Sequence, residues 1–129
     1  HHKGRKNFRK IGTTIINCIN REYCKKILVQ LAGQNHPLHY HPRKEETFQV
    51  LYGQLNLISD NHKYTLNTGE ILTVLPGVWH AFGSKTGCVF EEVSSTHFND
   101  DSVYKDNEIS NLKRHERKTV VDHWGRFQI

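Results

Sequence analysis

Short hydrophobic runs separated by polar turns dominate the first hundred residues of this chain. The runs are rich in β-branched and aromatic residues and end at Gly, Asn, Asp or Pro. Such runs predict β-strands at 13–19, 23–31, 37–41, 47–52, 54–59, 64–66, 71–75, 78–82 and 88–94, with a late strand at 119–121. Before residue 98 no window of helical length shows helical periodicity. The pattern therefore predicts an all-β antiparallel sandwich or barrel.

The strength of the strand pattern divides the chain into three parts. We expect a basic arm or linker over 1–12, a barrel over 13–98, and a polar segment over 99–129 that covers the barrel. This last segment is expected to form a loop, one short helix and a tail that pack on the barrel. His1 and His2 are interpreted as the remnant of a purification tag and are excluded from the candidate site residues.

The net charge of +5 is concentrated at the start of the chain. Residues 1–30 carry eight Lys or Arg and one acid, whereas the other 99 residues carry ten Lys or Arg and twelve acids. The basic arm lacks interleaved aromatic residues, so we expect no nucleic-acid partner and interpret it as a former link to another domain. No apolar run reaches the roughly 20 residues of a membrane helix. Three cysteines without CxxC spacing indicate buried thiols in a reducing compartment, and thus a cytoplasmic protein.

Histidines and one glutamate stand at the edges of predicted strands. His39 and His41 lie two residues apart and share a face of a strand, Glu46 follows a bend, and His80 follows a Pro-Gly turn. Three imidazoles and one carboxylate can bind one divalent ion and leave coordination positions open. This set of ligand atoms suits Mn, Zn, Fe or Ni and does not select among them.

The spacing of these residues resembles the two motifs of the cupin superfamily. The first motif matches as Gly33, five residues, His39-Tyr40-His41, four residues, Glu46, six residues, Gly53. The second matches as Gly69, five residues, Leu75-Pro76-Gly77, two residues, His80. Leu75 and Ser84 replace residues that the family often has, and neither is a predicted ligand. The resemblance implies a single small jelly-roll β-barrel with a metal ion in its mouth.

Two kinds of cupin are similar to this chain in finer detail. The motif HxHxxKxE, followed later in the sequence by FEEVS and NDD, resembles D-lyxose-type sugar isomerases. The same stretches resemble the cupin module attached to sialic-acid-type (nonulosonic acid) synthases. The first resemblance implies an enzyme that converts aldoses to ketoses by enediol proton transfer. The second implies a non-catalytic module that binds a metal and a sugar or sugar acid beside a fused or partner synthase domain. Oxygen-using metal enzymes share the ligand set but have no specific support.

The isomerase resemblance also implies roles for individual residues. Glu92 aligns with the matching sequence stretch of the isomerases and is the predicted base. Glu91 is the second candidate, since alternation places the two side chains on opposite faces and only one of them can face inward. Glu46 is the other catalytic candidate, although metal binding would weaken it as a base. The predicted substrate contacts, each with surface exposure or core packing as the alternative, are Lys44, Trp79, Phe82 and His97. Because cupins commonly pair through sheet edges, the resemblance further implies a homodimer.

Overall fold

The protein is described by a computed structural model that covers residues 10–111 and 119–121. The strands are β1 (Thr14–Asn20), β2 (Tyr23–Gln30), β3 (Asn35–Tyr40), β4 (Glu46–Gly53), β5 (Leu55–Ser59), β6 (His62–Leu66), β7 (Ile71–Val74), β8 (His80–Gly83), β9 (Cys88–Ser95), β10 (Val103–Tyr104) and β11 (Thr119–Val121). One short helix, α1 (Asn107–Ser110), lies between the last two strands. The predicted all-β class is confirmed. Each predicted strand has an observed counterpart whose ends differ by at most two residues.

The strands form two sheets packed face to face, the arrangement of a jelly roll. The six-stranded sheet has the order β11-β1-β2-β9-β4-β7, and the five-stranded sheet has the order β10-β3-β8-β5-β6. Every pairing is antiparallel except that of β1 with β11, which is parallel. The two sheets therefore enclose one interior, lined by alternate residues of each strand.

A hydrophobic core fills one part of this interior. Phe48 and Phe90 from the six-stranded sheet meet Phe82 from the five-stranded sheet, with ring centroids 5.2–6.0 Å apart. Leu28 and Leu57 are buried in the same cluster. Aromatic rings at these separations add directional contacts to the burial of apolar surface. The core thus holds the two sheets at a fixed distance, beside the polar residues described below.

The segments at either end of the predicted barrel also join the sheets. Strand β10, which was not predicted, pairs with β3, and the predicted late strand β11 pairs with β1. Near the beginning, Gly12 N–H donates to the Asn35 carbonyl and Asn35 N–H donates to the Lys10 carbonyl. Residues 1–9 of the predicted arm over 1–12, and the tail beyond residue 121, lie outside the described residues. No helix among the described residues is long and apolar enough to cross a membrane.

Candidate metal centre

The four predicted ligands meet between the two sheets. His39 lies in β3 directly opposite His80 of β8, and His41 follows β3 by one residue, so the five-stranded sheet supplies three imidazoles. Glu46 begins β4 in the facing sheet and supplies the carboxylate. All four residues are buried, and their ligand atoms lie within 4.8 Å of one another. The motif residues, distant in sequence, therefore form one compact cluster.

The backbone orients all three imidazoles in the same way. In each of the three histidines, Nδ1 lies within hydrogen-bond distance of a backbone carbonyl. For His39, His41 and His80 these carbonyls belong to Pro37 at 2.8 Å, Asp101 at 2.7 Å and Val78 at 2.9 Å. A proton on Nδ1 satisfies the carbonyl and leaves Nε2 with its lone pair free. This is the arrangement that fixes the tautomer of metal-binding histidines.

The cluster contains polar atoms that a bound cation would satisfy. Glu46 Oε1 lies 2.7 Å from His80 Nε2 and 3.4 Å from His41 Nε2. Neither Glu46 Oε1 nor His80 Nε2 makes a hydrogen bond of good geometry within the described part of the chain. Buried polar atoms without such bonds are costly. A divalent ion between them would remove that cost, so the residues fit a metal centre.

The protonation states of the cluster also suit metal binding. Burial lowers the pKa of His39 well below its usual value, and the neighbouring imidazole of His80 adds to that effect. Burial alone would raise the pKa of Glu46. The Lys44 ammonium is the main group that outweighs this effect and holds that pKa well below its usual range. A neutral imidazole and an ionised carboxylate are the forms that bind metal.

A chain of buried charges continues from Glu46 across the interior. Lys44 Nζ lies 3.0 Å from Glu46 Oε2 and 3.2 Å from Glu92 Oε2, and Lys26 Nζ lies 4.0 Å from the same Glu92 oxygen. Burial lowers the pKa of Lys44, but the two carboxylates outweigh burial and raise it. For Lys26, burial outweighs the attraction of Glu92 and the pKa is lowered. Glu92 is thus a second buried carboxylate, held between two lysines.

The two glutamates of β9 point in opposite directions, as alternation requires. Glu92 is 5% exposed and lines the cavity beside the predicted metal ligands. Glu91 lies on the outer face of the sheet, where its carboxylate is 3.6 Å from Lys25 Nζ. Only Glu92 of this pair is placed to act on a molecule in the cavity.

The four predicted substrate contacts fall in two places. Lys44, Phe82 and His97 line the same cavity as the metal ligands. Trp79 does not reach that cavity. Its indole lies on the outer face of the five-stranded sheet, against the ring of Tyr40 with centroids 4.6 Å apart. Consecutive strand residues face opposite ways, so the inward position of His80 sends Trp79 outward.

Two aromatic residues that were not predicted complete the cavity wall. His36 of β3 packs against His39 with ring centroids 4.7 Å apart, and Tyr104 of β10 stacks on His39 at 5.2 Å. The Tyr104 hydroxyl also lies 3.4 Å from His36 Nε2. His36 lies close to the HxH motif in sequence and could have been suspected. Tyr104 belongs to a two-residue strand for which the sequence carries no periodic signal.

Lys26 and Asp101 were also missed. Lys26 lies between buried Cys24 and Leu28 in a strand that alternates regularly, so its inward position could have been inferred. The carboxylate of Asp101 accepts hydrogen bonds from the backbone N–H groups of Arg43 at 3.0 Å and Lys44 at 3.1 Å. Its carbonyl accepts the His41 bond described above. Asp101 therefore anchors the β9–β10 connection, by hydrogen bonds, to the turn that carries Lys44.

The cavity enclosed by these residues is small. Its volume is about 20 Å³, which is room for about one water molecule. His97 and Tyr104, from either end of the β9–β10 connection, form part of its wall. A ligand larger than an ion and its water would need this connection to move.

Comparison with known proteins identifies the fold as that of the cupin domain. Residues 27–91 match the family model of the cupin domain. The D-lyxose/D-mannose isomerase of Thermosediminibacter oceani is 27% identical, over 78% of this chain and 72% of that protein. The L-ribose isomerase of Cellulomonas parahominis, solved with L-psicose, aligns with TM-score 0.73 and 12% identity over 87% of this chain and 77% of that one. KdgF from Halomonas sp. aligns with TM-score 0.60 and 14% identity over 65% and 78%. At these identities the structural matches show a shared fold.

Proposed function

The chain belongs to the cupin family, and on that premise we propose that it is a metal-dependent sugar isomerase. The proposal depends on one observation: a buried carboxylate, Glu92, lies in the cavity with the metal-binding residues without being one of them. A carboxylate that binds no metal ion can carry a proton in the reaction. The similarity to a D-lyxose/D-mannose isomerase supports the same class of reaction.

Conversion of an aldose to a ketose moves a proton between adjacent carbons through an enediol, while negative charge develops on the neighbouring oxygens. A bound divalent ion would supply Lewis-acid stabilisation of that charge. Glu92 takes the proton from C2 of the aldose, exchanges it in part with solvent, and delivers a proton to C1, while the proton of the C2 hydroxyl passes to the C1 oxygen. Lys44, 3.2 Å away, holds the Glu92 carboxylate in place and faces the substrate oxygens with its ammonium. Glu46 stays ionised in the metal centre and is the weaker base of the two.

The proposed substrate is a small aldose or ketose. D-lyxose and D-mannose are the first candidates, since a similar protein is named for them. Two lysines at Glu92 also allow a sugar acid or a sugar of the nonulosonic acid pathway, because an ammonium binds carboxylates as well as hydroxyls. Mn, Zn, Fe and Ni are the metals to compare.

The decisive experiment measures transfer of the proton between the two carbons of the sugar. Metal-loaded protein is incubated with D-lyxose or D-mannose in heavy water, and NMR measures the ketose formed and deuterium at the carbon beside the carbonyl. We expect Glu92→Gln to lower both by at least about 100-fold, the usual contribution of an acid–base group, with metal content unchanged. Glu91→Gln, on the other face of the same strand, is the matched control and should retain activity. If protein with a full complement of metal exchanges no deuterium into any of a panel of aldoses and sugar acids, the isomerase proposal is wrong.

A second function is favoured by the size of the cavity. About 20 Å³ admits an ion and water but no sugar ring while the β9–β10 connection stays closed. This suits a non-catalytic module that binds a metal in the cavity and, from outside the cavity, senses or positions a sugar for a synthase domain. Saturable sugar binding without deuterium exchange would support it.

The homodimer, the fused or partner synthase and the cytoplasmic location remain predictions. Sedimentation of the purified protein tests the first of them.

A further inference from the structure

A groove larger than the inner cavity lies on the opposite side of the five-stranded sheet. Its volume is about 190 Å³, compared with about 20 Å³ for the inner cavity. Its lining residues are Leu38, Asp60, Asn61, Trp79 and Lys105. None of them lines the inner cavity, so strand β8 separates the two sites. Trp79 and His80 are consecutive residues that face one site each.

The indole of Trp79 forms the floor of the groove. It is 38% exposed, as is common for tryptophan, which is rarely buried completely. The ring of Tyr40 packs edge-on against it at 4.6 Å and fixes its orientation. One apolar face of a rigid aromatic ring is therefore presented to solvent.

Backbone hydrogen bonds fix the walls of the groove. Asp60 N–H donates to the Trp79 carbonyl, and Lys105 N–H donates to the Leu38 carbonyl, both at 3.1 Å. Asp60 and Asn61 form the two-residue turn of the β5–β6 hairpin, with φ of 50° and 63°. Such left-handed turn residues are set by the hairpin itself. The side chains around the indole thus project from a preformed frame.

Three polar side chains surround the indole. The Asp60 carboxylate accepts hydrogen bonds, the Lys105 ammonium donates them, and the Asn61 amide does both. None of these side chains makes a hydrogen bond to another residue in the described ranges 10–111 and 119–121. Their formal charges cancel, so the groove as a whole favours an uncharged ligand with many hydroxyl groups.

From this arrangement we propose that the groove is a second, external binding site for a neutral saccharide. The C–H face of one sugar ring packs on the indole of Trp79, while its hydroxyls bond to Asp60, Asn61 and Lys105. An aromatic platform with a few convergent polar groups is the general form of a small-ligand site. The groove's volume of about 190 Å³, against about 20 Å³ for the inner cavity, leaves room for a single sugar ring. The site is independent of the metal centre and of the reaction proposed there.

Fluorescence tests the site directly. Trp79 and Trp124 are the two tryptophans, so Trp124→Phe leaves Trp79 as the single reporter. Metal-stripped Trp124→Phe protein is titrated with methyl α-D-mannopyranoside, whose blocked anomeric carbon cannot open for isomerisation. We expect a saturable change in emission, whereas ethylene glycol at equal hydroxyl concentration should give only a linear one. Because metal is absent, success or failure here says nothing about the isomerase.

Saturation-transfer NMR with the same glycoside then tests the residues. Trp79→Ala and Asp60→Asn should each weaken binding by about tenfold, the scale of an aromatic contact or a hydrogen bond to a charged group. Asn tolerates the left-handed backbone, so Asp60→Asn keeps the turn intact. A linear titration, or equal binding by both variants, would overturn the proposal. So would a change of Trp79→Ala from dimer to monomer, which would make the groove a contact between copies.

Discussion

The inner face of the six-stranded sheet has two halves that differ sharply in chemistry although they lie on the same strands. In one half, Leu28, Phe90 and Val50 lie side by side on β2, β9 and β4. Two residues along, Lys26 lies directly opposite Glu92 on β2 and β9. All five residues are at most 5% exposed. The same backbone and the same burial thus support an apolar half and a charged half.

This difference separates what stabilises the fold from what serves the site. Burial of apolar side chains contributes about 25 cal/mol per Å² to folding. Buried ion pairs seldom repay the loss of hydration, and apolar residues of similar size often replace them without loss of stability. The apolar half therefore accounts for stability, and the charged half is best explained by chemistry in the cavity.

The largest expected effect is in the apolar half. Phe90→Ala should lower the free energy of unfolding by about 4 kcal/mol, since it deletes a ring packed against Phe48 and Phe82 and leaves a cavity. Urea unfolding measures the loss. Tyr52→Ala, at a position 72% exposed, is the control and should change stability by about 0.5 kcal/mol or less. If Phe90→Ala cost only about 1 kcal/mol, the apolar half would not be the main source of stability.

Much of the candidate site, which draws on both sheets, could be predicted because it follows local rules. Alternation placed His39 and His41 on one face and separated Glu91 from Glu92. The motif spacing then predicted His80 and Glu46 as the remaining ligands, and the structure brings both within ligand distance of His39 and His41. The same alternation would have turned Trp79 outward had it been applied to the residue beside His80.

The remainder of the site depends on contacts between distant segments. Asp101 lies 60 residues from His41 and 57 from Lys44 in sequence, yet it bonds to both. No periodicity marks Asp101 or the two-residue strand that carries Tyr104. Their positions follow from the docking of the β9–β10 connection, which is a tertiary event rather than a local preference.

An intermediate effect is expected where this connection supports the charged half. Asp101→Asn keeps the size of the side chain but removes the charge that holds the Arg43 and Lys44 N–H groups. Metal affinity should fall about 10–100-fold, as for other residues that orient metal ligands, measured by competition with a coloured chelator. Asp100→Asn is the matched control, because Asp100 also pairs with Arg43 but its side chain is 86% exposed. Equal losses in both variants would show that surface charge, and not the support of His41 and Lys44, sets affinity.

The smallest effect is expected from removing a charge that burial disfavours. The pKa of Lys26 is lowered from its usual 10.5 because burial outweighs Glu92. In the window between the folded and unfolded pKa values the unfolded chain binds more protons, so stability rises with pH there. Lys26 should therefore contribute a rise in stability as the pH increases toward 10, while the raised pKa values of the buried thiols of Cys24 and Cys88 contribute a fall. Lys26→Met should remove the first contribution, so its stability should fall more steeply with pH than that of wild type, while staying within about 1 kcal/mol of wild type at pH 7. Lys25→Met removes the neighbouring, half-exposed lysine and should leave the slope unchanged. A larger loss in Lys26→Met at pH 7 would mean that its pairing with Glu92 stabilises the fold, and the charged half would then contribute to stability as the apolar half does.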